Sequence, residues 1–151
     1  MIVYRLSKEE YAQDLSGKGA ELLGGRWNSQ GVALVYTCES RALCTAEIAV
    51  NVPLGVLPTN YFLISIEIPD SFIYELEPSS YPENWKSFPH SDETQKLGDR
   101  FVEMGKQLTF KVESAVIQDE YNYLINPRHK NFGRVKIKKV ESFGFDHRLF
   151  K

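Results

Sequence analysis

Between Tyr61 and Ile68 the chain alternates strictly: Phe62, Ile64, Ile66 and Ile68 are apolar on one side of Leu63, Ser65 and Glu67. A period of two over that length is the signature of a strand with one face on a core. Other segments read the same way. Ile2–Leu6 is a first strand, Val32–Thr37 is apolar enough to be covered on both faces, and Phe72–Leu76 is a short strand. Leu108–Ile117 reads as a further strand, and Val135–Lys138 opens one or two more that run on to Phe145. Only two segments have helical spacing. Ser40 is a good N-cap for Arg41–Val50, which meets no breaker before Pro53. Asp92 followed by Gln95 resembles a capping box, and Leu97, Phe101 and Met104 mark one face of a helix that ends near Gly105. Between them, Glu77–Pro89 carries Pro78, Pro82 and Pro89 and reads as an irregular crossing. Strands and two helices without regular β-α alternation predict an α+β fold. The expected form is a single compact domain over residues 1–151, with mixed or antiparallel sheets and flanking helices.

Composition narrows the function. The aromatic share of 13% favours substantial sheet. A net charge of −2 lacks the basic excess of a typical nucleic-acid binder. Met1–Glu10 carries charges where a secretion leader needs an apolar run, and no stretch approaches the roughly eighteen apolar residues that span a bilayer. A cytoplasmic protein without a membrane partner is therefore expected. Cys38 and Cys44 lack neighbouring ligands to complete a zinc site, so two buried thiols and no metal are expected.

The residues with most chemical content lie early in the chain. Gln13–Gly31 is rich in Gly and Ser, yet it contains Leu22, Leu23 and Trp27, which need burial. Long loops with apolar anchors are more often functional than idle. Within it stands Gly24-Gly25-Arg26-Trp27-Asn28. Glycines before an arginine let backbone and guanidinium come close to a phosphate. Ten residues on is Tyr36, in a strand, and eleven further is Glu47, on a helical face with Leu43, Ala46 and Val50. A carboxylate in an apolar stripe reaches water at its edge, pairs with an arginine, or has a function. The basic group, aromatic ring and carboxylate suit a charged, sugar-containing ligand.

Other constellations carry less. Ser114 lies in the Leu108–Ile117 strand without a G-x-S-x-G elbow, although His90, His129 and His147 could approach it in space. Arg128, His129, Lys130, Arg134, Lys136, Lys138 and Lys139 concentrate positive charge, half of it alternating with Val135 and Ile137 as the solvated face of a strand. Neither a P-loop nor a G-x-G-x-x-G fingerprint is present.

Taken together, Tyr4-Arg5, Gly24-Gly25-Arg26-Trp27-Asn28, Gly31, Val35-Tyr36, Ser40-x-Ala42-Leu43, Glu47, Glu113-Ser114, Asn122, Leu124-Ile125-Asn126-Pro127 and Phe145-Asp146-x-Arg148-Leu149 closely resemble the bacterial RES family. The resemblance runs from Tyr4 to Leu149, and the family's eponymous arginine, glutamate and serine match Arg26, Glu47 and Ser114. It implies a toxin of a type II toxin–antitoxin module, a fold similar to ADP-ribosyltransferase toxins, and a neighbouring Xre-like antitoxin as partner, with a homodimer allowed inside that complex. It implies NAD+ as a substrate to be depleted, with no further cofactor and no direct nucleic-acid contact by the toxin. Arg26, Tyr36 and Glu47 are then the catalytic set. Arg26 would grip the pyrophosphate, Glu47 would stabilise the cationic ribose, and Tyr36 would pack on nicotinamide or ribose. Ser114 would bond the nicotinamide end, and Arg5, Trp27, Asn28 and Asn122 complete the substrate-binding candidates. Water, phosphate or a protein side chain remain open as acceptors, and an RNA-directed toxin using residues 128–139 is the rival. Two turn positions, Lys130 and His147, depart from the family's prolines.

Overall fold

Apolar strands with two faces to cover need layers on both sides. The computed structural model, which describes residues 1–151, meets that need with one seven-stranded sheet in the order β4-β5-β6-β2-β1-β3-β7. The strands are β1 (Ile2–Lys8), β2 (Val35–Cys38), β3 (Tyr61–Glu67), β4 (Ile73–Glu75), β5 (Thr109–Glu113), β6 (Tyr121–Ile125) and β7 (Lys136–Phe143). All neighbours are antiparallel except β4 and β5. The α+β expectation holds, as a single compact domain with a mixed sheet.

The two faces carry separate cores. Val3, Val35, Ile64, Ile66, Tyr123 and Ile125 pack on one, and Trp27, Leu34, Phe101, Phe110 and Leu124 on the other. Leu124 thus points away from its neighbours Tyr123 and Ile125, as the period of a strand requires. On β3 the alternating isoleucines reach the first core, while Leu63 and Ser65 are buried on the opposite face as well.

The middle of the sheet is its weakest join. Every residue of β1 from Ile2 to Lys8 has a partner on β3, but β1 meets β2 at one pair only, Tyr4 opposite Cys38. Helix α2 (Arg41–Ala49) sits over this seam through Leu43 and Cys44, which pack with Cys38, Tyr4 and Leu6. Ser40 caps it by accepting a hydrogen bond from the Leu43 amide at 3.0 Å, as its sequence predicts.

Several elements differ from the sequence expectations. A six-residue helix, α1 (Lys18–Leu23), lies in the glycine-rich stretch read as loop. The strand expected over Leu108–Ile117 ends at Glu113, because the Ser114 hydroxyl accepts from the amides of Val116 and Ile117 and turns the chain. That turn leads into β6, a strand the apolar pattern did not separate. Helix α3 (Asp92–Met104) starts at Ser91, and Gln95 is not part of a capping box. Its side chain donates instead to the carbonyls of Gly25 and Asn28, at 3.0 and 3.2 Å. One turn on, the Asp99 carboxylate accepts from the Ser29 amide and hydroxyl at 2.9 and 2.6 Å. Between them Gly98 lies directly against the Trp27 carbonyl, where any Cβ would collide with backbone. One face of α3 therefore clamps the Gly24–Asn28 segment.

Gly98→Ala should consequently cost about 3 kcal/mol or more, at the upper end for overpacking, since a helix or a clamped loop has to move. Urea unfolding checks it; a loss under about 1 kcal/mol would mean the contact is slack.

Candidate active site

A cleft of about 1010 Å³ opens at the seam, a size at the top of the usual range of about 300–1,000 Å³ for small-molecule and cofactor sites. Beyond the Tyr4–Cys38 pair, β1 and β2 diverge, and Arg5 and Leu6 from one strand and Tyr36 and Thr37 from the other become its walls. Helix α2 adds Cys44, Glu47 and Ile48, the i, i+3 and i+4 positions of one face, and Val50 and Asn51 follow just past its end. That face is rotated from the expected one: Val50 is exposed, and Cys44 is buried.

Glu47 is the carboxylate of the cleft. Its Oε1 accepts a hydrogen bond from the Ser114 hydroxyl at 3.0 Å. Ser114 is fully buried, and the same oxygen accepts the two turn amides at 3.0 and 3.1 Å. The turn thus fixes the hydroxyl, and the hydroxyl fixes the carboxylate. Burial pushes the Glu47 carboxyl above the ordinary carboxylate range, against the pull of Ser114, Asn122 and the Arg26 charge.

Arg26 is anchored through one nitrogen. Its Nη1 donates to the carbonyls of Trp85 and Ser87, at 2.7 and 2.8 Å, while Nε and Nη2 make no hydrogen bond within the protein. Burial lowers its pKa, and the charges of Glu47 and Tyr36 oppose that. No ion pair joins Arg26 to Glu47, so both charges face the cleft. Tyr36 is wedged beside them. Its hydroxyl donates to Asn28 Oδ1 at 2.7 Å and accepts from the Trp27 amide at 3.0 Å, and burial holds its pKa well above normal. Gly25 permits this packing, since a Cβ there would stand 2.7 Å from the Tyr36 hydroxyl.

The structure brings Arg5, Arg26, Tyr36, Glu47 and Asn122 together around one cleft. Three expected substrate contacts have other duties. The Trp27 indole is 2% exposed, committed edge-on to Tyr81 and Phe110. Asn28 is fully buried and donates to the carbonyls of Ala20 and Val32. Ser114 does not line the cleft; it positions Glu47. Arg5 is partly spent on the Asp14 carbonyl at 2.7 Å, and the Asn122 amide on the Thr37 carbonyl at 3.3 Å. Cys38 and Cys44 are free, buried thiols in the wall. Lys86, Phe88 and His90 also line the cleft; the sequence singled out only His90, as a histidine that could approach Ser114, and not the other two. Their segment reads as an irregular crossing; the alternation of Lys86, Phe88 and His90 was the available signal. None of the basic residues 128–139 reaches the cleft. Arg128 pairs with Glu21, Arg134 lies over Phe72, and Lys139 meets Glu141. The lysines of β7 stand on a sheet edge, where charge discourages edge-to-edge pairing.

Residues 2–146 match the RES domain. The chain is 38% identical over 152 residues to "Toxin Res" of Yersinia enterocolitica, covering 99% of each sequence. It is 36% identical over 143 residues to "Prs ADP-ribosylating toxin" of Sphingobium sp., covering 93% of this chain and 89% of that protein. Among solved structures, it superposes with a TM-score of 0.71 and 19% identity on a chain of the M. tuberculosis MbcT–MbcA toxin–antitoxin complex, covering 99% of this chain and 86% of that one. At that identity the likeness speaks for the fold.

A carboxyl whose pKa rises on folding binds its proton more tightly when folded, so its charge costs stability once pH exceeds the folded value. Glu47→Gln should therefore melt higher than the parent at neutral pH. The gap should close as pH falls below the ordinary carboxylate value, where both carry a neutral side chain. Thermal melts across pH check this; a lower melting point for the variant at pH 7 would show that Glu47 is a net stabiliser.

Proposed function

Because the chain belongs to the RES-domain family, we propose that it is a toxin that cleaves the nicotinamide–ribose bond of NAD+ and depletes it in the cytoplasm. The observation that carries this reading is a pair of charges, Arg26 and Glu47, that face one cleft without neutralising each other. NAD+ offers the complementary pair: a pyrophosphate anion, and a ribose that turns cationic as the bond breaks.

The free Nε and Nη2 of Arg26 form a fork suited to two phosphate oxygens. In the reaction the bonding electrons leave with nicotinamide, and positive charge develops on the ribose, as in glycoside hydrolysis. In this reading Glu47, held by Ser114, stabilises that cation, and partial burial limits screening by water. Tyr36 closes the wall against which the nicotinamide ribose rests. Water or inorganic phosphate completes the reaction at the ribose carbon. With water the products are ADP-ribose, nicotinamide and a proton. Transfer of ADP-ribose to a protein is the second reading, and the name of the Sphingobium relative favours it.

An antitoxin is the proposed partner, of the Xre-like kind. Leu23 and Phe88 are 81% and 82% exposed at the rim of the cleft, and Val50 is exposed beside them. Exposed apolar side chains at the opening of a cleft suit a protein partner.

Nicotinamide release from NAD+ by the purified protein, with and without phosphate, tests the reaction. Mass spectrometry of candidate acceptor proteins tests the second reading. No nicotinamide under any acceptor condition would sink both. Glu47→Gln should lose about a hundredfold or more in turnover. Parent activity should fall on acidification through a pKa above the ordinary carboxylate range, because the ionised carboxylate is the working form. Arg26→Lys should be nearly as impaired as Arg26→Ala, since a point charge cannot make the forked contact. Unchanged NAD+ affinity in Arg26→Ala would place the phosphates elsewhere, with Arg5 the next candidate. Expression alone should arrest growth and co-expression of the antitoxin should not; full NAD+ cleavage by the purified complex would show that the partner leaves the cleft open.

A further inference from the structure

The segment from Trp85 to His90 crosses the cleft as a strap. Its even-numbered residues, Lys86, Phe88 and His90, all line the cleft, while Trp85 and Ser87 give their carbonyls to Arg26. The Trp85 ring packs against Tyr81 at 4.8 Å between centroids, so the strap is pinned at that end by the aromatic core. Arg26 pins it from the side of the cleft.

Besides the His90 imidazole, four Tyr, Trp and Phe rings line the cleft, and three of these are spoken for. Trp27 is enclosed by Tyr81, Trp85 and Phe110. Tyr36 is bonded to Asn28, and Tyr4 lies beneath the Arg41 guanidinium at 4.8 Å and against the α2 cluster. Of the four, Phe88 alone makes no ring or cation contact, and it is 82% exposed. An apolar ring standing in water at the mouth of a cleft that holds Arg26 and Glu47 offers a free π-face, and a flat heteroaromatic base is the chemistry that such a face takes.

The strap also belongs to the phosphate side of the site. Arg26 bonds it directly, and after burial the Arg26 charge is what lowers the His90 pKa, whereas Glu47 is held by Ser114 from behind the cleft lining. A dinucleotide with its pyrophosphate on Arg26 and its scissile ribose at Glu47 sends its other base toward the strap. We propose that Phe88 is a specificity-determining residue that stacks on the adenine ring of the dinucleotide, with Arg26 holding the strap in register. This rests on the NAD+ reading and deepens it. The strap recognises the half of the molecule that does not react, so Phe88 governs binding more than turnover.

Steady-state kinetics of the full-length protein with NAD+ and with nicotinamide cytosine dinucleotide tests it. Phe88→Ala should raise KM for NAD+ about tenfold, the size of one base–aromatic stack, while kcat falls far less. Phe88→Trp should restore the parent KM, and Phe88→Leu, apolar but without a π-face, should not. Preference for adenine over the smaller cytosine, expressed as the ratio of kcat/KM values, should shrink in Phe88→Ala. A parent that cleaves NAD+ beside a Phe88→Ala variant with unchanged KM and unchanged base preference overturns the role of Phe88 and leaves the NAD+ reading standing. A parent that releases no nicotinamide removes the NAD+ reading, and the stacking role with it.

Discussion

The site exists because β1 and β2 fail to zip. Antiparallel strands that pair along their length leave no space between them, and here they meet only where Tyr4 faces Cys38. Past that pair, each strand keeps its neighbour on the other side. β1 is tied along its whole length to β3, and β2 pairs with β6 from Val35 to Cys38. The ladders on either side of the seam therefore continue where the central join stops. Helix α2 covers the seam and brings a carboxylate to it, and the Gly24–Asn28 segment brings a guanidinium. Everything chemical in the cleft is attached to a different part of the fold and converges only at this divergence.

Convergence has to be held against two costs. A buried carboxylate loses hydration, and a buried guanidinium does too. The fold offsets neither completely. Ser114 gives Glu47 one hydrogen bond, and two carbonyls take one nitrogen of Arg26. A direct ion pair between them would lower both costs and occupy the cleft with itself. Keeping the two charges apart sacrifices stability for the ability to bind something with the opposite pattern, a familiar trade at functional sites.

The local chemistry of the elements was legible, and their connections less so. Alternation placed β3, and the Ser40 cap placed α2 to within a residue. Arg26, Tyr36 and Glu47 could be singled out because their types are unusual for their positions. A guanidinium behind two glycines and a carboxylate in an apolar stripe both ask for an explanation. Misreadings came where a side chain bonds across the fold. Gln95 looks like half of a capping box, but the carbonyls of Gly25 and Asn28 compete for its amide and win. Ser114 looks like a strand residue, but it turns the chain and then serves Glu47. Asn28 sits beside Arg26 in sequence, yet local carbonyls and Tyr36 consume its whole amide. Lys86, Phe88 and His90 alternate in sequence, but among prolines and serines in a segment of turns that spacing carries no meaning until the cleft beside it is known.

Arg26 ties these parts into one device. Its Nη1 fixes the strap, and the remaining nitrogens of the same rigid plane face the cleft, so the position of the strap and the aim of the fork cannot vary independently. The carbonyls of Trp85 and Ser87 report to the arginine, and Lys86, Phe88 and His90 to the cleft. An anion that draws on Nε and Nη2 leaves the two carbonyl bonds intact, so binding need not release the strap. Any partner protein that fills the cleft meets the same two uncompensated charges and the same exposed Leu23 and Phe88. Substrate and partner would then compete for one set of unsatisfied groups. Whichever binds supplies what folding left out, and stabilises the folded chain by its own mass action.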